Sequence, residues 1–219
     1  MTDTHPSGLG PSLEEFRATR ARTLALAEGL TQAQLDHRPA RGGWSAGEVL
    51  DHMLLAEATN RGQLARLVGL RREGRRPELR LSFADVNVSV AYLPRCVLPL
   101  LEVPLTLMNA LVPEGIRSYL TRHRLVPFRN PDQATPRHGR AAAQLRGDLL
   151  DSLRETEALF RTNPGLDFGG MVIQHPLLGR YDVPGLLRFM SAHEQRHQSQ
   201  LADIFSDPRL PRGRDAARR

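Results

Sequence analysis

The feature that most constrains the fold of this chain is a helical repeat of apolar residues along four long stretches. Two of these stretches open with the spacing of a capping box, in which a serine precedes a glutamate by three residues: Ser12 with Glu15, and Ser45 with Glu48. The four stretches cover about residues 12–29, 45–70, 140–161 and 182–205. No segment alternates apolar and polar residues convincingly with period two. The sequence therefore predicts an all-α fold with four main helices.

The connection between the second and third predicted helices, residues 71–136, is long and rich in proline and arginine. We expect an irregular insertion here, with an extended stretch at residues 79–92 and a helix at residues 114–123. Insertions of this length often form interfaces or carry function. The predicted domain plan is a flexible N-terminus, a helical domain that contains the insertion, and a basic disordered tail: residues 1–10, 11–206 and 207–219.

The basic residues do not form the pattern of a nucleic-acid surface. All 30 of them are arginine and the net charge is +6, which a GC-rich coding bias explains without an anionic partner. The arginines are scattered among acidic residues, and only the C-terminal tail is a purely basic cluster. This composition disfavours nucleic acid as a partner.

Neither a targeting segment nor a membrane segment is visible in the sequence. The N-terminus lacks the basic and apolar regions of a signal peptide. The most apolar stretch, residues 90–112, is broken by three prolines and contains Arg95 and Glu102. Cys96 is the single cysteine, so no disulfide can form within the chain. We therefore expect a soluble cytoplasmic protein without a membrane span.

Two histidines in the last predicted helix, His193 and His197, stand four residues apart and so share one helix face. They continue the apolar stripe of Leu186, Met190 and Leu201, which points both rings toward the core. A buried neutral imidazole needs partners for its donor and its acceptor nitrogen, and a metal ion satisfies the acceptor. The alternative is a pair of ordinary surface histidines or hydrogen-bonded core histidines.

The same segment matches H-E-x-x-H, the zinc metalloprotease motif in which Glu194 would be the general base. That motif needs a third ligand, and downstream of His197 the chain has no further histidine or glutamate. Of the other histidines, only His52 lies inside a clear amphipathic helix, which makes it the candidate third ligand. A site of His52, His193 and His197 leaves a fourth coordination position open, as reactive metal sites do.

Three segments carry a family resemblance: the helix start Trp44–His52, the loop His175–Gly179, and the paired histidines with a trailing glutamine in His193–Gln200. Their order and separations are similar to those of the DinB/YfiT-like superfamily of four-helix metal proteins. The resemblance implies a four-helix bundle of DinB/YfiT type, with the insertion between the second and third main helices and one divalent metal on the three histidines. It also implies zinc or nickel as the ion and a homodimer.

Some members of that superfamily are thiol-dependent transferases that act with bacillithiol, mycothiol or glutathione, which makes an S-transferase the leading functional hypothesis. The metal would activate a low-molecular-weight thiol toward an electrophilic small-molecule substrate. One alternative is a hydrolase with Glu194 as base, although the helical period turns Glu194 away from His193 and toward solvent. Another is a non-catalytic, stress-associated metal-binding protein. The sequence assigns no catalytic residue and leaves open whether the protein is an enzyme.

Overall fold

The computed structural model describes residues 8–39, 42–82, 89–90, 128–129, 135–175 and 179–212. These residues form helices and short strands in the order α1 (Leu9–Leu26), α2 (Gln32–Asp36), α3 (Ala46–Arg72), β1 (Glu78–Arg80), β2 (Ser89–Val90), β3 (Phe128–Arg129), α4 (Ala142–Arg161), β4 (Val172–His175), β5 (Gly179–Asp182) and α5 (Val183–Phe205). The predicted all-α class is confirmed as a mainly helical fold. The two small sheets were not part of that prediction.

The four long helices, α1, α3, α4 and α5, make the main contacts of the fold. Helix α1 packs against α5 and α4, while α3 packs against α4, α5 and the short helix α2. The predicted main helices are therefore present and in contact, whereas their arrangement as a four-helix bundle of DinB/YfiT type stays a prediction. No helix in the described part of the chain is long and apolar enough to cross a membrane.

The helix starts show which of the capping predictions hold. Ser45 caps α3 as predicted: its Oγ accepts from the Glu48 N–H (3.3 Å), and the Glu48 carboxylate accepts from the Ser45 N–H (2.8 Å). Asp182 caps α5 by accepting from a backbone N–H in its first turn (2.7 Å). The capping box predicted at Ser12 is wrong, because α1 begins at Leu9 and Ser12 lies inside the helix.

The chain termini differ from the predicted domain plan. Helix α1 includes residues 9 and 10, which were expected in the flexible N-terminus, and Leu9 is buried in the core. At the start of the predicted tail, residues 207–210 form a turn closed by a backbone hydrogen bond of 2.9 Å. Residues 1–7 and 213–219 lie outside the described residues, as does the predicted helix at 114–123.

Three of the strands form a small sheet that fixes where α5 begins. Strand β4 is central, parallel to β1 and antiparallel to β5, and it pairs Ile173 with Tyr181. Because β5 leads directly into α5, the sheet anchors the start of the helix that carries two of the candidate ligands. Strands β2 and β3 pair antiparallel, so residues 89–90 lie beside residues 128–129. The stretch 79–92 is thus extended in part, at β1 and β2.

The core consists of two apolar clusters with a layer of buried polar side chains between them along the four long helices. One cluster uses the beginnings of α1 and α5 and the ends of α3 and α4, and the other cluster uses the opposite ends of these helices. The side chains between them, called the polar layer below, are Thr19, Arg20, Thr23, Glu57, Ser152, Thr156, Ser191 and Glu194. Since buried charges are costly unless paired, this layer demands specific partners.

Candidate metal centre

The three histidines predicted as ligands lie close together in the structure. His52 lies in the second turn of α3, and His193 and His197 occupy successive turns of α5. One ring nitrogen of each lies within 4.8 Å of the others, and no other group of this kind occurs among the residues that the structure describes. His52 and His197 are buried, while His193 is partly buried. Two helices in contact thus bring three imidazoles to one point.

The separations between the ring nitrogens fit a shared metal ion. Nε2 of His193 lies 3.4 Å from Nε2 of His52 and 3.2 Å from Nε2 of His197. In a tetrahedral site with metal–nitrogen bonds of about 2.0–2.1 Å, two ligand nitrogens are about 3.3–3.4 Å apart. These two distances match this edge length, and the third pair of ligand nitrogens lies within 4.8 Å, so the three histidines suit an ion the size of zinc.

The protonation of the rings also suits metal binding. Nδ1 of His197 donates a hydrogen bond to Oε1 of Gln200 (3.0 Å), which places the proton of the neutral ring on Nδ1 and the lone pair on Nε2, the nitrogen that would bind an ion. Burial holds the pKa of His193 well below its usual value, and the nearby His197, His52 and Arg196 lower it further. A neutral imidazole is the form that binds a metal, so this environment keeps His193 in its ligating state.

Aromatic side chains surround the cluster. The Trp44 ring lies 4.8 Å from the His52 ring and 6.5 Å from the His197 ring, centroid to centroid. On another side, the Phe189 ring lies 6.2 Å from the His193 ring. Trp44 immediately precedes the Ser45 cap, so the start of α3 positions Trp44 and His52 together. These rings place apolar surface beside the imidazoles.

An open groove of about 980 Å³ borders the site. Trp44 and Gln200 line it, together with Ile204 and the turn around Asp207. The groove is lined by Trp44 and Gln200, which contact the His52 and His197 rings, and not by the three histidines themselves. Its volume is in the range of small-molecule sites.

Glu194 is the acidic residue of the H-E-x-x-H string. It was predicted to face solvent, and this prediction is wrong. Its side chain is buried in the polar layer, where its two oxygens accept from Nε (2.9 Å) and Nη2 (3.0 Å) of Arg20. Thr23 Oγ1 donates to the same carboxylate (2.5 Å). A carboxylate held in this way is a poor general base, because proton transfer would leave a buried arginine with less compensation. The hydrolase alternative with Glu194 as base therefore loses its support.

The other described histidines lie apart from this cluster. His37 contacts Asp207 (Nε2 to Oδ2, 3.1 Å), and His138 lies 3.8 Å from the Glu48 carboxylate. His175 lies at the end of β4, where burial lowers its pKa to about 4. His5 and His123 lie outside the described residues.

The contacts of three further side chains near the histidines were not predicted from the sequence: Arg20 and Glu57 in the polar layer, and Gln200 beside His197. The sequence does contain a signal that Arg20 and Glu57 are buried. Arg20 lies four residues after the core residue Phe16, and Glu57 lies four residues after the core residue Met53, so each shares a helix face with a buried side chain. A charged residue in a core stripe indicates a buried partner, but the sequence does not say which one.

Comparison with sequence families matches residues 15–201 to the DinB superfamily, which is a metal-binding superfamily. No curated protein and no solved structure matches the chain. The match covers most of the chain and includes all three histidines of the cluster. The chain belongs to the DinB superfamily.

Proposed function

We propose that the protein binds one divalent metal, zinc or nickel, through His52, His193 and His197. The observation that carries this proposal is the convergence of the three Nε2 atoms, two of whose separations are 3.2 and 3.4 Å. Three protein ligands leave a fourth position for water or substrate, which is typical of reactive rather than structural sites.

The finer proposal is a metal-dependent S-transferase that uses a low-molecular-weight thiol. A divalent ion next to sulfur lowers the pKa of a thiol and so supplies a nucleophile at neutral pH. The sulfur then forms a bond to an electrophilic carbon of the substrate, the leaving group departs with its electron pair, and the thiol proton passes to solvent. The chain itself presents three imidazoles, fixes one of them through Gln200, and places Trp44 and Phe189 beside them.

The arrangement of acidic residues favours transfer over hydrolysis. Within the described ranges, no carboxylate belongs to the histidine cluster, and Glu194 is bound by Arg20. Hydrolysis of the H-E-x-x-H type uses the glutamate of the motif as general base beside the ion, a role for which Glu194 is not placed. Thiol transfer does not need such a base, because the ion itself favours the deprotonated sulfur.

The experiment has two stages. Metal content is first measured on protein purified without added metal, for the wild type, His193→Ala and the control His37→Ala. We expect about one equivalent of metal in the wild type and the control, and loss of metal in His193→Ala. Equal metal content in all three proteins would exclude the proposed site.

In the second stage, the metal-loaded wild type is incubated with 1-chloro-2,4-dinitrobenzene and, in turn, glutathione, mycothiol and bacillithiol. We expect chloride release and thioether formation with at least one thiol, and neither in His193→Ala. Turnover of ester substrates without thiol would favour hydrolysis instead, and no turnover in either assay would favour a non-catalytic role.

A further inference from the structure

Arg20 lies at the centre of the polar layer and contacts three other helices. Its side chain is 1% exposed and belongs to α1, which carries none of the three histidines. Nη2 donates to Oε2 of Glu57 on α3 (2.7 Å), and Nη1 donates to the Leu149 carbonyl on α4 (2.8 Å). Nε and Nη2 bind Glu194 on α5. All three nitrogens of the guanidinium are therefore used.

The two carboxylates that Arg20 binds come from the two helices that carry the metal ligands. Glu194 directly follows His193 on α5, and Glu57 lies five residues after His52 on α3. Thr23 and Thr156 donate further hydrogen bonds to Glu194 and Glu57 (2.5 and 2.7 Å). One planar cation thus joins α3 to α5 close to the point where their imidazoles meet.

The charges of this network depend on Arg20. Burial alone would lower the pKa of Arg20, but Glu194 and Glu57 outweigh burial and raise it above its usual value. Arg61 also contacts Glu57 (3.8 Å), yet its other contacts are all on α4, with Ser152, Glu155 and Thr156. Among the described contacts, Arg20 is therefore the cation that reaches both ligand-bearing helices.

We propose that Arg20 is a positioning residue of the metal centre, which sets metal affinity by holding α3 and α5 in the register that brings the three Nε2 atoms together. This inference rests on the proposed metal site. A metal centre tolerates ligand displacements of only about 0.5 Å, so a small shift between the helices weakens binding. The planar fork of arginine binds two carboxylates in fixed directions, which the single ammonium of lysine cannot do.

The test compares wild type, Arg20→Lys and the matched control Arg61→Lys. Zn²⁺ affinity is measured by competition with a chromophoric chelator, coordination geometry by the visible spectrum of the Co²⁺-loaded protein, and folding by circular dichroism. We expect Arg20→Lys to retain helical content, to bind Zn²⁺ about 10- to 100-fold more weakly, and to show a changed Co²⁺ spectrum. Arg61→Lys should stay within about threefold of wild type.

A second variant, Arg20→Met with Glu57→Gln and Glu194→Gln, removes the charges together and leaves no unpaired ion in the core. It should also bind Zn²⁺ more weakly, because the neutral groups no longer fix the helix register. The proposal is overturned if Arg20→Lys keeps wild-type affinity and spectrum, if Arg61→Lys loses as much affinity, or if both Arg20 variants lose their helical content. Absence of Zn²⁺ binding by the wild type would instead refute the proposed metal site itself.

Discussion

At the residue scale, the proposed centre involves a hydrogen bond that orients one imidazole as well as the imidazoles themselves. Gln200 accepts from Nδ1 of His197 and so selects the tautomer whose Nε2 faces His193. Groups that orient metal ligands in this way contribute to affinity although they never touch the ion.

Replacing Gln200 by alanine is therefore expected to weaken Zn²⁺ binding about 10-fold, because the His197 ring loses its orienting acceptor. The measurement is chelator competition at pH 7.5. Ser199→Ala is the matched control, since Ser199 is exposed on the same helix and bonds only to the Gln195 carbonyl among the hydrogen bonds described (3.2 Å). Equal affinities for the two variants would show that Gln200 does not orient the ligand.

Two histidines whose pKa values are lowered by their surroundings give the metal-free protein a dependence on pH. Burial lowers the pKa of His175 to about 4 and that of His193 well below its usual value. The unfolded chain takes up these protons near pH 6.5, before the folded chain does. The contribution of these two histidines to the free energy of unfolding is therefore largest above about pH 6.5. It decreases as the pH falls toward 4.

Urea unfolding of metal-free protein between pH 7 and pH 5 measures this decrease. For His175 alone, the loss at pH 5 is about 2 kcal/mol. In His175→Gln, the decrease in the free energy of unfolding between pH 7 and pH 5 should be smaller by a similar amount. A free energy of unfolding that stays constant or increases from pH 7 to pH 5 would contradict the proposed burial of neutral imidazoles.

The residue scale also shows where inference from sequence succeeded and where it failed. The pairing of His193 and His197 could be predicted, because helical geometry alone places residues four apart on one face. The partners of Arg20 could not be predicted, since Glu57 and Glu194 lie 37 and 174 residues away. Charged residues on amphipathic helices are usually exposed, so only the tertiary contacts reveal this network.

At the element scale, the start of α3 links folding to the site. The Ser45 cap fixes the first turn of the helix, Trp44 immediately before it packs on the His52 ring, and His52 itself lies in the next turn. A change at the cap should therefore be transmitted to one of the three candidate metal ligands.

Ser45→Ala is expected to lower the free energy of unfolding by about 1 kcal/mol, because the Glu48 N–H loses its acceptor. Thermal and urea unfolding of metal-free protein provide the measurement. Ser206→Ala, at the C-terminal end of α5, is the control. Its effect on the free energy of unfolding should be less than about half that of Ser45→Ala. An unchanged midpoint for Ser45→Ala would mean that water replaces the cap at no cost.

Local signals predicted two of the main helix starts well, and their one failure has a physical reason. Ser12 and Ser45 share the same spacing to a glutamate, but only Ser45 is a cap. In α1, Gly8 adopts a left-handed backbone (φ 114°) and Leu9 is buried in the core, so the helix begins one turn earlier. Tertiary burial, which the sequence does not show, outweighed the local capping preference.

At the scale of the whole molecule, four helices place two apolar clusters on either side of a charged layer. The apolar periodicity predicted the mainly helical fold, because burial of an amphipathic face requires neighbouring helices. The small β1–β4–β5 sheet escaped prediction because its strands have only three or four residues, too few for an alternating pattern to be recognised.

The most direct test of the central claim is zinc X-ray absorption spectroscopy of the loaded wild type and of His52→Ala. The account predicts three imidazoles at about 2.0–2.1 Å from the zinc in the wild type and two in His52→Ala, whose affinity should also decrease. A wild-type zinc site with fewer than three imidazoles, or an identical spectrum for the two proteins, would contradict the claim that His52 shares one ion with His193 and His197.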